Sequence, residues 1–234
     1  MNVAIILARC GSKRIPKKNT KIFCGKPLLA YAIDAAKKSD IFDHVFVSTD
    51  CEYVANISRE YGAEAPFIRP AYLATDFIES IDVINHAIEW MKKKNMALKF
   101  VCCIYPNPFI SHKDIRTCYD KISEGNWDYS FPTYHQNSIA LRSFRAKNGG
   151  GLEMILPEFY KTRSQDLPII MNDAAQFYWG RVDAWLDKYP IFSDRSTFLA
   201  LPNWRVQDID TMEDWNQAKV KFKKLVKNNT IDFI

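Results

Sequence analysis

The sequence predicts an α/β fold, a mostly parallel sheet covered by helices on both faces, as one domain over 1–234. Three observations support this. Apolar runs alternate with amphipathic segments through the first half of the chain. The first apolar run delivers the backbone into a loop of small and cationic residues, and ligands of open α/β sheets bind beyond the carboxyl ends of the strands. With 47% hydrophobic and 25% charged residues, the 234-residue chain has the composition and length for one sizeable core.

Val3-Ala4-Ile5-Ile6-Leu7 reads as a buried strand over 2–8. Pro27, behind Gly25-Lys26, opens a helix over about 27–38, since a first-turn proline has no needed N–H to lose. A strand at 44–48 and a helix near 51–61 follow. The next helix, about 78–94, places Ile81, Ile84, Ile88 and Met91 at helical spacing. Phe100-Val101-Cys102-Cys103-Ile104 lies in a strand over 99–104, where cysteine acts as a small hydrophobe. A helix near 112–123 and a strand near 128–133 complete the regular half.

The alternation breaks over about 134–172, where Gly149-Gly150-Gly151 and short apolar pieces indicate a hairpin-like excursion from the sheet. Regular structure resumes with a strand over 175–179, a helix near 182–188 and a strand over 198–201. A last helix begins near Thr211, and its Lys221, Lys223, Lys224 and Lys227 read as a wet face.

The net charge of +5 comes with no recognisable nucleic-acid module, so an anionic small substrate is expected rather than a nucleic acid. Six cysteines show no Cys-x-x-Cys pair, which argues against a metal site or a disulfide framework. No apolar run approaches the ~20 residues that cross a bilayer, and the first strand begins without a leader pattern, so no membrane partner and a cytoplasmic location are expected. No Gly-x-Ser-x-Gly elbow supports a hydrolase triad, and the four histidines are scattered.

Arg9, Lys13, Arg14, Lys17 and Lys18 crowd the loop behind the first strand, around Gly11 and Ser12. Small residues let backbone N–H groups approach an anion, and the cations offset polyphosphate charge. The spacing is neither Walker A nor the dinucleotide fingerprint. A second constellation is Asp208-Ile209-Asp210. In extended backbone both carboxylates share a face, where they repel unless a proton or cation lies between them. Mg²⁺ favours one or two carboxylates together with phosphate oxygens. Helix capping explains one of these aspartates but not the pair.

Ile6-Leu7-Ala8-Arg9, Gly11-Ser12-Lys13, Ile15 and Lys18-Asn19 together resemble the signature of the CMP-sugar synthetases, or acylneuraminate cytidylyltransferases. Val47-Ser48-Thr49-Asp50, Arg69-Pro70-Ala71 with Leu73-Ala74 and Asp76, and Asp208-Ile209-Asp210 with Asp214-Trp215 follow in the family's order, so the resemblance spans nearly the whole chain. Gln176-Phe177-Tyr178-Trp179-Gly180 resembles the branch that activates pseudaminic acid. The resemblance implies a Rossmann-like fold of the nucleotide-diphospho-sugar transferase type, a homodimer to which the excursion contributes, and transfer of CMP from CTP to the anomeric hydroxyl of a nine-carbon acidic sugar. Alternatives are a sialic or legionaminic acid CMP-synthetase and a CTP-binding protein without turnover.

By the same resemblance, Arg9, Lys18, Asp208 and Asp210 are catalytic, and the two aspartates hold Mg²⁺. Ala8, Gly11, Ser12, Lys13 and Asn19 bind the nucleotide, with Arg69 and Ser80 near the base and phosphates. Arg163 suits the sugar carboxylate, while Gln165, Asp173 and Gln176 can bond hydroxyl or acylamino groups. From spacing alone, Asp76 and Glu79 form a capping box, and Asp50 is a helix cap or a nucleotide contact. The rings of Phe177, Tyr178 and Trp179 read as structural. The chain departs from the family at Cys10, Leu7 and the Asn172, Ala174 and Ala175 positions, and most clearly at Tyr105-Pro106-Asn107-Pro108, where a hydroxyl-rich turn is usual.

Overall fold

Val3, Ala4, Ile5 and Ile6 are fully buried because the strand they form has a helical layer on each side. A computed structural model describes residues 1–227. In chain order, β1 (Asn2–Leu7) leads through the basic loop to a small hairpin of β2 (Ile22–Phe23) and β3 (Lys26–Pro27), then to α1 (Leu28–Ser39). β4 (His44–Ser48), α2 (Glu52–Glu60), α3 (Ser80–Lys93), β5 (Phe100–Ile104), α4 (His112–Glu124) and β6 (Tyr129–Gln136) follow.

The excursion is a hairpin of β7 (Phe144–Ala146) and β8 (Leu152–Met154), and β9 (Ile170–Asp173) returns to the sheet. Gly149, Gly150 and Gly151 all have positive φ there, which only glycine adopts freely over three consecutive residues. β10 (Phe177–Arg181), α5 (Val182–Leu186), β11 (Ser196–Leu201) and α6 (Met212–Lys227) complete the described chain. The excursion is shorter than the sequence suggests, because β6 runs on to Gln136 and β9 starts at Ile170.

The sheet order is β11-β6-β10-β5-β1-β4, with β9 also pairing β6. β1, β4, β5, β6 and β11 run one way, while β9 and β10 run the other. The expected fold is therefore met, with two antiparallel strands inside it. β1 connects to β4 on one side and β5 lies on the other, so the strand order reverses at β1 and a crevice opens at its carboxyl end.

Alternation along the strands divides the core. Ala4, Ile6, Cys102 and Trp179 pack with α1 and α4, while Val3, Ile5, Cys103 and Tyr178 pack with α3 and α5. A third cluster lies outside the sheet: Ile15 of the basic loop, Phe23, Tyr31, Phe109, Ile209, and Trp215 and Phe222 of α6. Phe23 meets Trp215 and Phe222 edge-on, with ring centroids 5.2 and 5.5 Å apart.

Gly180 has a role that its sequence context conceals. A β-carbon there would lie 2.4 Å from the Trp185 indole nitrogen, which donates to the Val101 carbonyl at 3.1 Å. Gly180→Ala should therefore destabilise the protein by about 1–3 kcal/mol through overpacking. Thermal denaturation should show a melting midpoint several degrees lower.

Candidate active site

The basic loop is shaped by its own turns and by three anchors. Lys18 N–H donates to the Ile15 carbonyl and Lys21 N–H to that of Lys17, while Ile15 is fully buried in the third cluster. Asp50 accepts from Cys10 N–H at 2.7 Å, so it holds the loop and neither caps α2 nor faces the cavity. Asn19 donates to the Arg9 carbonyl at 2.8 Å and accepts from Leu29 N–H at 2.9 Å, tying the loop to α1.

These anchors leave a cavity of about 530 Å³ beyond β1. Arg9, Ser12, Lys13, Arg14, Lys18 and Asn19 line one side, and Arg69, Leu73, Ile78, Ser80, Val83 and Tyr105 another. Arg69 is only 5% exposed, and its Nε and Nη2 have no partner among the described residues. Burial lowers its pKa, with Asp50 opposing and Arg9 adding to the shift, yet a guanidinium stays protonated. Arg69 thus borders the cavity while these two nitrogens are themselves buried, and buried donors without a protein partner call for an acceptor or water. The Ser80 hydroxyl and the Tyr105 phenol lie 2.5 Å apart at the cavity wall.

Of the loop residues expected at the nucleotide, Ser12, Lys13 and Asn19 reach the cavity. Ala8 does not, because its side chain is fully buried and its N–H donates to the Ser48 carbonyl. Gly11 does not line the cavity either. Its position has open space, so crowding is not what selects glycine there. Ser12 N–H is already engaged by the Cys10 carbonyl. Lys17 turns away, 5.9 Å above the Tyr53 ring.

Asp76 overturns its capping reading. α3 starts at Ser80 after Glu79, without a side-chain cap, and Asp76 instead bonds Arg9 at 2.6 Å and Lys13 at 2.7 Å. Lys13 first, and then Arg9, hold its carboxyl below the ordinary carboxylate range. Two long-range ion pairs have displaced a local helix-start motif. The carboxylate therefore occupies cations that a polyphosphate would use.

A second cavity, about 240 Å³, shares Lys18, Tyr105, Pro106 and Asp210 with the first. Asp208 and Asp210 both line it, because the side chain between them, Ile209, is buried in the third cluster. Capping is left to neighbouring residues. Thr211 Oγ1 accepts from Asp214 N–H at 3.2 Å, and an Asp214 oxygen accepts from Thr211 N–H at 2.8 Å. Asp210 pairs with Arg14 at 2.8 Å and Lys18 at 3.8 Å, giving Arg14, one of the loop cations, a specific partner at the site that the family resemblance did not assign. Burial lowers the Lys18 pKa, opposed by Asp210 and Asp208. No group of three or more metal-ligating side chains occurs among the described residues. Two carboxylates beside a cation-lined cavity fit Mg²⁺, which takes its other ligands from phosphates and water.

The sugar-side expectations fare unevenly. Tyr178 and Ala175 line the second cavity, and Tyr178 donates to Asp173, whose carboxyl pKa is raised by burial. Gln176 does not reach it: the side chain is fully buried and donates to the Arg205 carbonyl at 3.3 Å. Gln176 lies outside β10, directly behind Ala175 at φ +51°, so the alternation along Phe177–Arg181 does not set its direction. Tyr178, read as structural, is the aromatic residue of this stretch at the cavity. Arg163 pairs with Asp166 at 2.5 Å on the exposed excursion, and neither it nor Gln165 lines either of the two cavities.

Residues 3–224 match the cytidylyltransferase family. The chain belongs to the cytidylyltransferases. It is 39% identical to the pseudaminic acid cytidylyltransferase of Campylobacter jejuni over 223 residues, covering 95% of this chain and 96% of that one. It is 36% identical to the CMP-N,N'-diacetyllegionaminic acid synthase of Legionella pneumophila, over 49% of this chain and 50% of that one. Among solved structures, CMP:2-keto-3-deoxy-manno-octonic acid synthetase complexed with CTP has the same fold, with a TM-score of 0.72 at 14% identity over 95% of this chain and 98% of that one. No helix among the described residues of this cytidylyltransferase is long and apolar enough to cross a membrane.

The Asp76 ion pairs generate a test. Asp76→Asn frees Arg9 and Lys13 while keeping the side-chain shape, so pyrophosphate should bind about three- to tenfold more tightly by calorimetry. Unchanged or weaker binding would mean that Asp76 does not compete with the anion.

Proposed function

We propose that the protein transfers CMP from CTP to the anomeric hydroxyl of a nonulosonic acid, releasing pyrophosphate, with pseudaminic acid as the acceptor. The observation that carries this reading is the pair of adjoining cavities: a larger one lined by basic-loop cations and the buried Arg69, and a smaller one lined by two aspartates, sharing Lys18 and Asp210. The larger suits a nucleoside triphosphate and the smaller an acceptor. The extended similarity to the Campylobacter jejuni protein favours pseudaminic acid over the legionaminic and sialic alternatives.

Arg9, Lys13, Arg14 and Lys18 would hold the triphosphate and stabilise the departing pyrophosphate, exchanging their carboxylate partners for phosphate oxygens. Arg69, at the wall of the larger cavity, would contact the nucleotide, and Tyr105, common to both cavities, would separate base from sugar. Asp208 and Asp210 would hold Mg²⁺, which when bound offsets phosphate charge and lowers the pKa of the attacking hydroxyl. The chain's remaining work is alignment of donor and acceptor in line, the larger part of catalysis in phosphoryl-type transfer. CTP as donor supports a cytoplasmic location.

A homodimer belongs to the same proposal. Ile139, Phe144, Leu152, Ile155 and Ile169 are exposed on or beside the excursion, a concentration of apolar surface suited to burial against a second copy. Arg163 and Gln165 would then act at the partner's acceptor cavity, which explains their absence from their own.

Purified protein with CTP and Mg²⁺ should release pyrophosphate with pseudaminic acid and not with N-acetylneuraminic acid, and EDTA should abolish release. Asp210→Ala should reduce turnover by about 10²-fold or more at saturating Mg²⁺. Near-normal turnover of that variant would remove the aspartate from the mechanism. Sedimentation should give twice the chain mass, and Leu152→Lys should shift the protein towards monomer. A wild-type monomer at micromolar concentration would rule out the dimer.

A further inference from the structure

Residues 205–210 carry the aspartate pair, yet among the described residues no main-chain hydrogen bond ties 207–210 to the sheet. The bonds within this stretch are local, from Arg205 N–H to the Pro202 carbonyl and from Val206 N–H to that of Asn203. Three consecutive carbonyls accept from side chains instead, each from a different part of the fold. Arg205 O accepts from Gln176 Nε2 at 3.3 Å, Val206 O from Lys221 Nζ at 2.7 Å, and Gln207 O from Asn107 Nδ2 at 3.0 Å. The Arg205 guanidinium also grips the Asp114 carboxylate of α4 with both terminal nitrogens. Ile209 then fixes the far end by burial.

From this geometry we infer that Asn107, Lys221 and Gln176 are positioning residues, a side-chain clamp that sets where Asp208 and Asp210 stand. The inference rests on the reading of those aspartates as the metal-binding pair. Asn107 is well built for the task. It is 5% exposed, and its Oδ1 accepts from Phe109 N–H at 2.9 Å while its amide holds Gln207. One side chain thus shapes its own turn and anchors the segment opposite. The Pro106-Asn107-Pro108 turn thus carries at its centre a residue that can do both. Lys221 belongs to a row of helix lysines, but Lys223, Lys224 and Lys227 are exposed whereas its ammonium is drawn to Val206 O and, at 3.5 Å, to Asn203 O. Gln176, buried and expected at the sugar, finds its use here.

A carboxylate pair on an otherwise untethered segment would wander by more than the fraction of an ångström that a preorganised site tolerates. Partners that orient metal ligands typically carry 10- to 100-fold of metal affinity.

Two variants separate this idea from simpler ones. Asn107→Ser keeps an acceptor for Phe109 N–H but loses the reach to Gln207. Lys221→Met keeps the hydrocarbon stem and loses the donor. Mn²⁺ binding in the presence of saturating CTP, followed by electron paramagnetic resonance, should weaken about tenfold in each. For Lys221→Met this opposes simple electrostatics, since removing a positive charge would by itself favour a cation. Lys221→Arg should restore binding. Hydrogen exchange without metal should accelerate through 205–210 in both loss variants while the melting midpoint of the sheet stays near wild type.

Unchanged exchange in that segment would overturn the clamp whatever the metal does. Faster exchange with unchanged Mn²⁺ affinity would overturn the positioning role. Asp210→Ala in the same assay shows whether the metal reading fell with it: Mn²⁺ affinity equal to wild type would place the failure there.

Discussion

The burial of one isoleucine between two aspartates organises this molecule's chemistry. Ile209 joins a cluster that lies off the sheet, and its neighbours there include Ile15, from the middle of the basic loop. The cationic loop and the acidic segment are thus docked on the same apolar surface, with α6 and Phe23 as the shared support. Apolar burial is non-directional, but alternation along an extended chain gives it direction here. Once Ile209 points inward, Asp208 and Asp210 must both point outward, into the space that Lys18 and Arg14 enter from the other side. The main sheet provides the platform and the crevice. The third cluster brings opposite charges together at its rim.

Much of this was legible from residue order. The basic loop announced itself through small residues and cations directly behind a buried strand, and the aspartate pair through an apolar residue at the intervening position. The alternation of strands and helices fixed the layers, and the triple glycine marked the hairpin turn. These signals are local, and the physics behind them is local as well.

What remained hidden depends on distant partners. Asp76 and Glu79 have the spacing of a capping box, but Arg9 and Lys13, more than sixty residues earlier, offer the carboxylate stronger partners than a helix start does. Gln176 could not be assigned by alternation, because it stands outside β10, directly behind the left-handed Ala175. Lys221 looked like one more solvated lysine until the fold set a carbonyl beside it. Gly180 shows only as a small residue in a strand, and its necessity comes from the Trp185 ring lying across it. In each case a local pattern gave way to a contact that exists only after the chain has closed on itself.

The ion pairs of the site have a consequence for selectivity. Arg9 and Lys13 are matched by Asp76, and Arg14 and Lys18 by Asp210, so the crevice is far less positive than its count of basic residues suggests. An entering anion must exchange partners with carboxylates already in place. A lone phosphate, able to satisfy one or two cations, gains little by that exchange. A triphosphate spans several at once and releases both aspartates together. On the proposed reading, the resting site would act as a threshold on ligand length, favouring an extended polyanion over short ones.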